Sequence, residues 1–227
     1  MNNRYPVKVL EDKIGYEFKD KELLLTALTH SSYRNEPDGK KRDDYERQEY
    51  LGDAVLELVS SDYIFHNYPE MREGDMTKLR ASLVCEPTLA ECAKEIDLSD
   101  FILLGKGEDR QKSRYKDSIV SDVFEALIGG IFLEAGLEGA KSFIYRFVLN
   151  DIEHKTLFYD SKSKLQDLVQ ARGWKLEYVL VEESGPEHMK VFTMAAVING
   201  KEYASGRGSS KKSAEQKAAY ETLKKVT

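Results

Sequence analysis

The sequence predicts a multidomain chain with two unlike parts. An all-α body spans residues 1–156, and a small α+β unit of order α-β-β-β-α spans residues 160–227. Three observations predict this. Apolar residues recur at helical spacing through the body, with no run of strand alternation before position 157. Beyond Asp160 the period shortens: Tyr178 and Leu180 alternate against Val179 and Val181, and Asn199-Gly200 marks a hairpin turn. The charge also changes sign, since residues 160–227 carry 12 basic and 9 acidic side chains against 22 and 31 in the residues before them. An acidic body joined to a basic tail unit suits a protein that gathers cations and meets a polyanion.

Composition narrows the class. With 41% hydrophobic and 33% charged residues among 227, the chain has enough apolar material to fold and too much charge for a membrane protein. No apolar run approaches the roughly 20 residues of a membrane span. The first residues carry an acidic pair, Glu11-Asp12, where a signal peptide needs an apolar core, so a cytoplasmic protein is expected. Cys85 and Cys92 stand seven apart in one predicted helical segment, a poor disulfide geometry, and reduced thiols are expected.

The elements follow in order. Pro6–Ile14 forms a short helix ended by Gly15, and Asp20 caps a second over Lys21–Thr29. Arg34–Asp44 is a polar loop. A long helix then runs from about Tyr45 to Asn67, where Tyr68-Pro69 stops it. Asp75 opens a helix continuing towards Ala93, and Gly105 through Lys116 reads as an exposed loop. Ser118 or Ser121 opens an apolar helix, and a last one covers Leu137–Asn150. In the tail unit a helix spans Ser161–Arg172 after a short connection, Glu153–Ser161. Strands follow at Leu176–Glu183, Val191–Ile198 and Lys201–Arg207, and Ser210 caps the final helix.

Chemistry concentrates on two helices. Glu46, Glu49 and Asp53 stand at i, i+3 and i+7, within roughly 60° of one another on a helix. Asp53 already lies in the apolar run Leu51–Val59, beside Gly52, which weakens a helix by roughly 1 kcal/mol relative to Ala. A glycine there permits close approach of another element. Asp122 and Glu125 form a second pair, i and i+3, in the run Ile119–Leu133. Such acids either pair with buried cations, Arg47 or Arg80, or cage a hard metal. In the second case Glu49, Asp53, Asp122 and Glu125 offer oxygen ligands without His or Cys, which suits Mg²⁺, with Mn²⁺ as a substitute, rather than Zn²⁺. His30 reads as a hydrogen-bonded structural histidine.

Four ordered blocks carry a family resemblance. E-R-Q-E-Y-L-G-D-A-V-L at residues 46–56 resembles the signature of the bacterial ribonuclease III family, and the blocks at residues 23–33, 73–84 and 121–133 resemble that family's others in the same order. The resemblance implies a dimeric, metal-dependent endonuclease for double-stranded RNA that leaves 5′-phosphate and 3′-hydroxyl ends with short 3′ overhangs. Processing of structured precursors such as ribosomal RNA is the expected role. By resemblance Glu49, Asp53, Asp122 and Glu125 hold the Mg²⁺, with Asp53 and Glu125 catalytic. Glu46 and Glu73 are accessory acids, and Tyr50 packs into the partner subunit of a homodimer. The chain departs from the signature at Gln48, where Leu is usual, and at Tyr45, where Asn is common.

The tail unit is similar to a double-stranded-RNA-binding domain through K-S-K-L-Q-D-L-V-Q, G-P-E-H and S-S-K-K-S-A-E-Q-K-A-A. A reader of A-form shape wants polar groups in minor grooves and cations across the phosphates between them. Gln166 and His188 would serve the grooves. Lys211 and Lys212, at a helix N-terminus, would serve the phosphates. Glu215 stands where many such domains carry a third lysine, which lowers the expected phosphate affinity. The rival readings are an RNA-binding protein that does not cut and a phosphohydrolase of small nucleotides.

Overall fold

Nine helices and three strands occur within residues 7–37, 42–185 and 190–226, which the computed structural model describes. The helices before the first strand are α1 (Val7–Ile14), α2 (Lys21–Ala27), α3 (Glu46–Asn67), α4 (Glu73–Val84), α5 (Glu86–Glu95), α6 (Lys106–Arg110), α7 (Asp117–Phe147) and α8 (Ile152–Ala171). Strands β1 (Leu176–Ser184), β2 (Val191–Ile198) and β3 (Lys201–Gly208) follow, and α9 (Lys211–Val226) ends the chain. Two compact units result, Met1–Ile152 and Glu153–Thr227.

Among its described residues the first unit has no strand, only helices and one isolated bridge between Thr29 and Leu103. Its axis is α7, which is apolar almost all round and therefore buried. Val123, Phe124, Ala126, Leu127, Ile128 and Ile131 are all fully enclosed. Helices α2, α3 and α5 pack against it. Asp20 caps α2 as expected, accepting from the Glu22 N–H at 3.0 Å.

Several local expectations are corrected. The helix expected to continue from Asp75 to Ala93 is two helices, because Pro87 lies in the first turn of α5. Proline lacks the N–H that a continuous helix needs and its ring clashes with the preceding turn, so Cys85 turns out to an extended conformation (φ −77°, ψ 152°). Cys85 and Cys92 thus do not share one helix; both are free thiols, the first half-buried and the second buried. The 105–116 segment, expected as a loop, holds α6 and a 3₁₀ turn at Ser113–Tyr115, tied by the Ser113 hydroxyl donating to Glu108 at 2.5 Å. Residues 153–161, expected as a connection, are the first turns of α8. Ser118 and Ser121 both lie inside α7, which starts at Asp117, and Gly136 (φ 67°) kinks it near the expected start of the last helix.

In the second unit the strands form an antiparallel sheet of order β1-β2-β3. Asn199 and Gly200 both have positive φ (50° and 80°), the geometry of the tight hairpin turn read from the sequence. Leu165 and Val169 of α8 and Ala218, Ala219 and Leu223 of α9 share one core with Ala196 and Ile198 of β2. Small residues let α9 approach the sheet closely: a Cβ on Gly206 would lie 2.4 Å from the Ala218 nitrogen.

Candidate active site

Two glycines bring the acids together. A Cβ on Gly52 of α3 would fall 1.8 Å from the Glu125 carbonyl oxygen, and one on Gly129 of α7 would fall 2.1 Å from that of Gln48. The two helices therefore cross with backbones in contact, which only glycine permits. Glu49 lies one turn from the crossing on α3, and Asp122 and Glu125 occupy successive turns of α7. One carboxylate oxygen from each of Glu49, Asp122 and Glu125 lies within 4.8 Å of the others, and all three residues are half-buried. Asp53 is more exposed and stands outside this close group, yet its charge is felt by both Glu49 and Glu125.

Among the described residues, none of these four acids pairs with Lys or Arg; Arg80 instead donates to the Ser61 hydroxyl at 2.9 Å. The protonation energetics reflect that lack of compensation. Burial first, then Asp53, Glu49 and Asp122, push the Glu125 carboxyl up to about 8. Burial, with Asp122, Glu46 and Asp53, pushes Glu49 up to about 7. Burial also raises Asp53, helped by Glu57. Asp122 is raised by burial and partly held down by the Tyr45 hydroxyl and His30.

Tyr45 has a role that its sequence did not disclose. It is buried, its hydroxyl donates to Asp122 Oδ2 at 3.4 Å, and its ring lies 5.8 Å from that of His30. Its side chain thus crosses from the start of α3 to α7. His30 is structural, as expected: Nδ1 accepts from the Ser32 N–H at 3.1 Å. Gln48 faces the core at 5% exposure, and its Oε1 finds no hydrogen-bond partner. Glu46 lies at the edge of the cluster, exposed and coupled to Glu49. Glu73 is not brought to it: it accepts from Thr77 at 3.2 Å and lines a groove of about 540 Å³ with Leu58, Phe65, Met76 and Arg80. Tyr50 is 81% exposed, and Leu58 (57%) and Phe65 (66%) are exposed further along α3.

The other expected residues belong to the second unit. Gln166 is exposed on α8, whose Leu165 and Val169 are buried. Lys211 and Lys212 are exposed in the first turn of α9, and the Lys211 ammonium lies 5.9 Å from the centre of the Phe192 ring. His188 lies outside the described residues.

Comparison with known proteins gives this geometry its setting. Residues 20–152 match the family model described as Ribonuclease-III-like, and residues 161–226 match the double-stranded RNA binding motif. Proteins named ribonuclease 3 from Bacillus cereus strains AH187 and G9842 are 45% identical over 226 residues, covering 98% of this chain and 92% of theirs. The chain belongs to the ribonuclease III family. Solved structures agree with this. One nuclease domain of ribonuclease III from Campylobacter jejuni, described for flexibility in the region involved in dimer formation, is 45% identical with a TM-score of 0.59 and covers 63% of this chain and 96% of its own. A second structure of that domain is 44% identical at a TM-score of 0.59, covering 66% and 97%. The chain is therefore a ribonuclease III enzyme, with a helical nuclease domain followed by a double-stranded-RNA-binding domain. The carboxylate cluster lies in the first and the Lys211–Lys212 pair in the second.

Proposed function

We propose that this ribonuclease III hydrolyses phosphodiester bonds of double-stranded RNA with Mg²⁺, or Mn²⁺ in its place, leaving 5′-phosphate and 3′-hydroxyl ends with short 3′ overhangs. Ribosomal RNA precursors and other structured transcripts in the cytoplasm are its proposed substrates. The observation that carries this reading is the uncompensated group of Glu49, Asp122 and Glu125 oxygens. The donor set fits the ion, because hard carboxylate oxygens free of His or Cys ligands favour Mg²⁺ and Mn²⁺. Glu49, Asp122 and Glu125 would hold the metal, with Asp53 completing the set. When bound, Mg²⁺ supplies a Lewis acid for phosphate oxygens and for water.

The chain's own groups set the rest. Asp53 and Glu125 are the proposed catalytic acids, and in the metal-free protein burial and the neighbouring carboxylates push the Glu125 carboxyl up to about 8, so that a bound cation would displace its proton. Tyr45 keeps Asp122 turned towards the cluster. Glu46 is an accessory acid at its rim, and Glu73 one at the groove. Lys211 and Lys212 meet phosphates, with Gln166 and His188 in the minor grooves. A homodimer covers the exposed Tyr50, Leu58 and Phe65 of α3, since large apolar side chains this exposed on one helix mark an interaction surface.

Incubating a long RNA duplex with the wild type and Glu125→Gln, with and without Mg²⁺, tests the reading. Mg²⁺-dependent cutting by the wild type alone is expected. Binding without cutting in both proteins would instead make the chain a non-cleaving RNA-binding protein.

A further inference from the structure

Glu215 is more than an interruption in a basic row. Its Oε2 lies 2.6 Å from the Lys162 ammonium on α8, with the two side chains 23% and 35% exposed. The same ammonium lies 5.2 Å from the centre of the Tyr178 ring, whose hydroxyl is buried and pushed up to about 12 by burial and by Glu215. Lys162 is thus held between an aromatic ring and a carboxylate. The next residues continue the join. The Ser161 hydroxyl donates to the Gln216 carbonyl at 3.0 Å, and the Gln216 amide donates to the carbonyl of Phe158 at 2.7 Å and to that of Tyr159.

These contacts tie α8 to α9 at one level. Gln166 lies one turn beyond Lys162 on α8, and Lys211 and Lys212 lie one turn before Glu215 on α9. The join therefore sits between the groove-reading position on one helix and the phosphate-binding end of the other. A-form RNA is recognised by shape, so the spacing of those two positions is part of the recognition. We infer that Lys162 and Glu215 are a positioning pair that sets α8 against the N-terminus of α9 for binding duplex RNA. The inference rests on the proposed roles of Gln166, Lys211 and Lys212.

The sign of one substitution separates it from the simpler view. A carboxylate that merely repels phosphate would, once neutralised, leave binding tighter. A positioning carboxylate, once neutralised, leaves it weaker. Equilibrium binding of the full-length protein to an RNA duplex in EDTA, across a salt series, is the measurement. Glu215→Gln and Lys162→Gln are each expected to weaken binding by about fivefold, the scale of a partly shielded ion pair. The double Gln variant should be no weaker than either single one, and the salt slope should not change, because no phosphate contact is lost. The charge-swapped chain, Lys162→Glu with Glu215→Lys, should recover binding to within about twofold of wild type. At saturating duplex with Mg²⁺ the cleavage rate should stay within about twofold, so that the loss lies in KM.

Tighter binding by Glu215→Gln overturns the inference, as does a salt slope lowered by about one in Lys162→Gln, which would make Lys162 a phosphate ligand. Additive losses in the double Gln variant overturn it too, whether or not the swapped chain folds. A wild type that binds no duplex RNA removes the RNA-binding reading and this pair with it.

Discussion

The two units handle charge in opposite ways. The nuclease domain gathers Glu49, Asp122 and Glu125 at a glycine-lined helix crossing, with Asp53 outside that close group, and gives these acids no cationic side chain among the described residues. The RNA-binding domain spreads its cations over the surface and sets several beside acids: Lys162 with Glu215, Lys190 with Glu183, Lys175 with Glu177. Unpaired acids in a half-buried site are costly unless the partner arrives from outside. Exposed lysines cost little, because water screens them until a phosphate replaces it. The charge balance of each unit thus indicates its partner: a small hard cation for one and a polyanion for the other.

The sharpest way to break this contrast is to neutralise one acid. Glu125→Gln is expected to lower Mg²⁺-dependent cleavage by more than about a hundredfold, since changes one shell further out from a metal already cost ten- to a hundredfold. Its duplex binding in EDTA should be unchanged, and a parallel loss of binding would show the two units are not separable.

Steric pressure on the crossing comes next. Gly52→Ala drives a Cβ into the Glu125 backbone and is expected to cost about 3 kcal/mol or more of stability, read by denaturant unfolding. A variant as stable as wild type would mean the helices do not touch there.

The metal-free protein should also show the strain of the acids as pH changes. Glu49 and Glu125 titrate near 7 and 8 when folded and near 4.5 when unfolded. Between these values the folded state binds more protons, so stability falls as pH rises from about 4.5 to about 8. Mg²⁺ should therefore raise the melting temperature more at pH 8 than at pH 5, and Glu125→Gln should flatten the metal-free trend. A metal-free melting temperature that rises over this range would contradict the uncompensated cluster.

On the basic side, Lys211→Ala with Lys212→Ala should lower the salt slope of duplex binding by about two while leaving thermal stability intact. The smallest expected effect belongs to the core. Gln48→Leu removes a buried oxygen that lacks a partner and should stabilise the protein by about 1 kcal/mol in the same unfolding assay.

Much of this was legible in the chain itself. The change of period after Asp160 separated an all-α part from an α-β-β-β-α part, because 3.6-residue and two-residue repeats bury different faces. The hairpin at Asn199-Gly200 was readable because few residues other than Asn and Gly accept positive φ. The helix break at Cys85 was missed although Pro87 signalled it, and the 105–116 loop hid α6 because five residues leave too short a pattern to read.

The acids and the costly Gly52 were visible as types and spacings, and the family signature assigned them roles. Only the tertiary structure decided that Gly52 meets Gly129, because a contact between segments some 77 residues apart has no local signal. It also placed Tyr45 on Asp122 and Gln48 in the core, and it joined Glu215 to Lys162. Spacing along a helix decides which face a residue occupies. What lies opposite that face depends on how the helices pack, and that is where both departures from the signature and Glu215 gained their meaning.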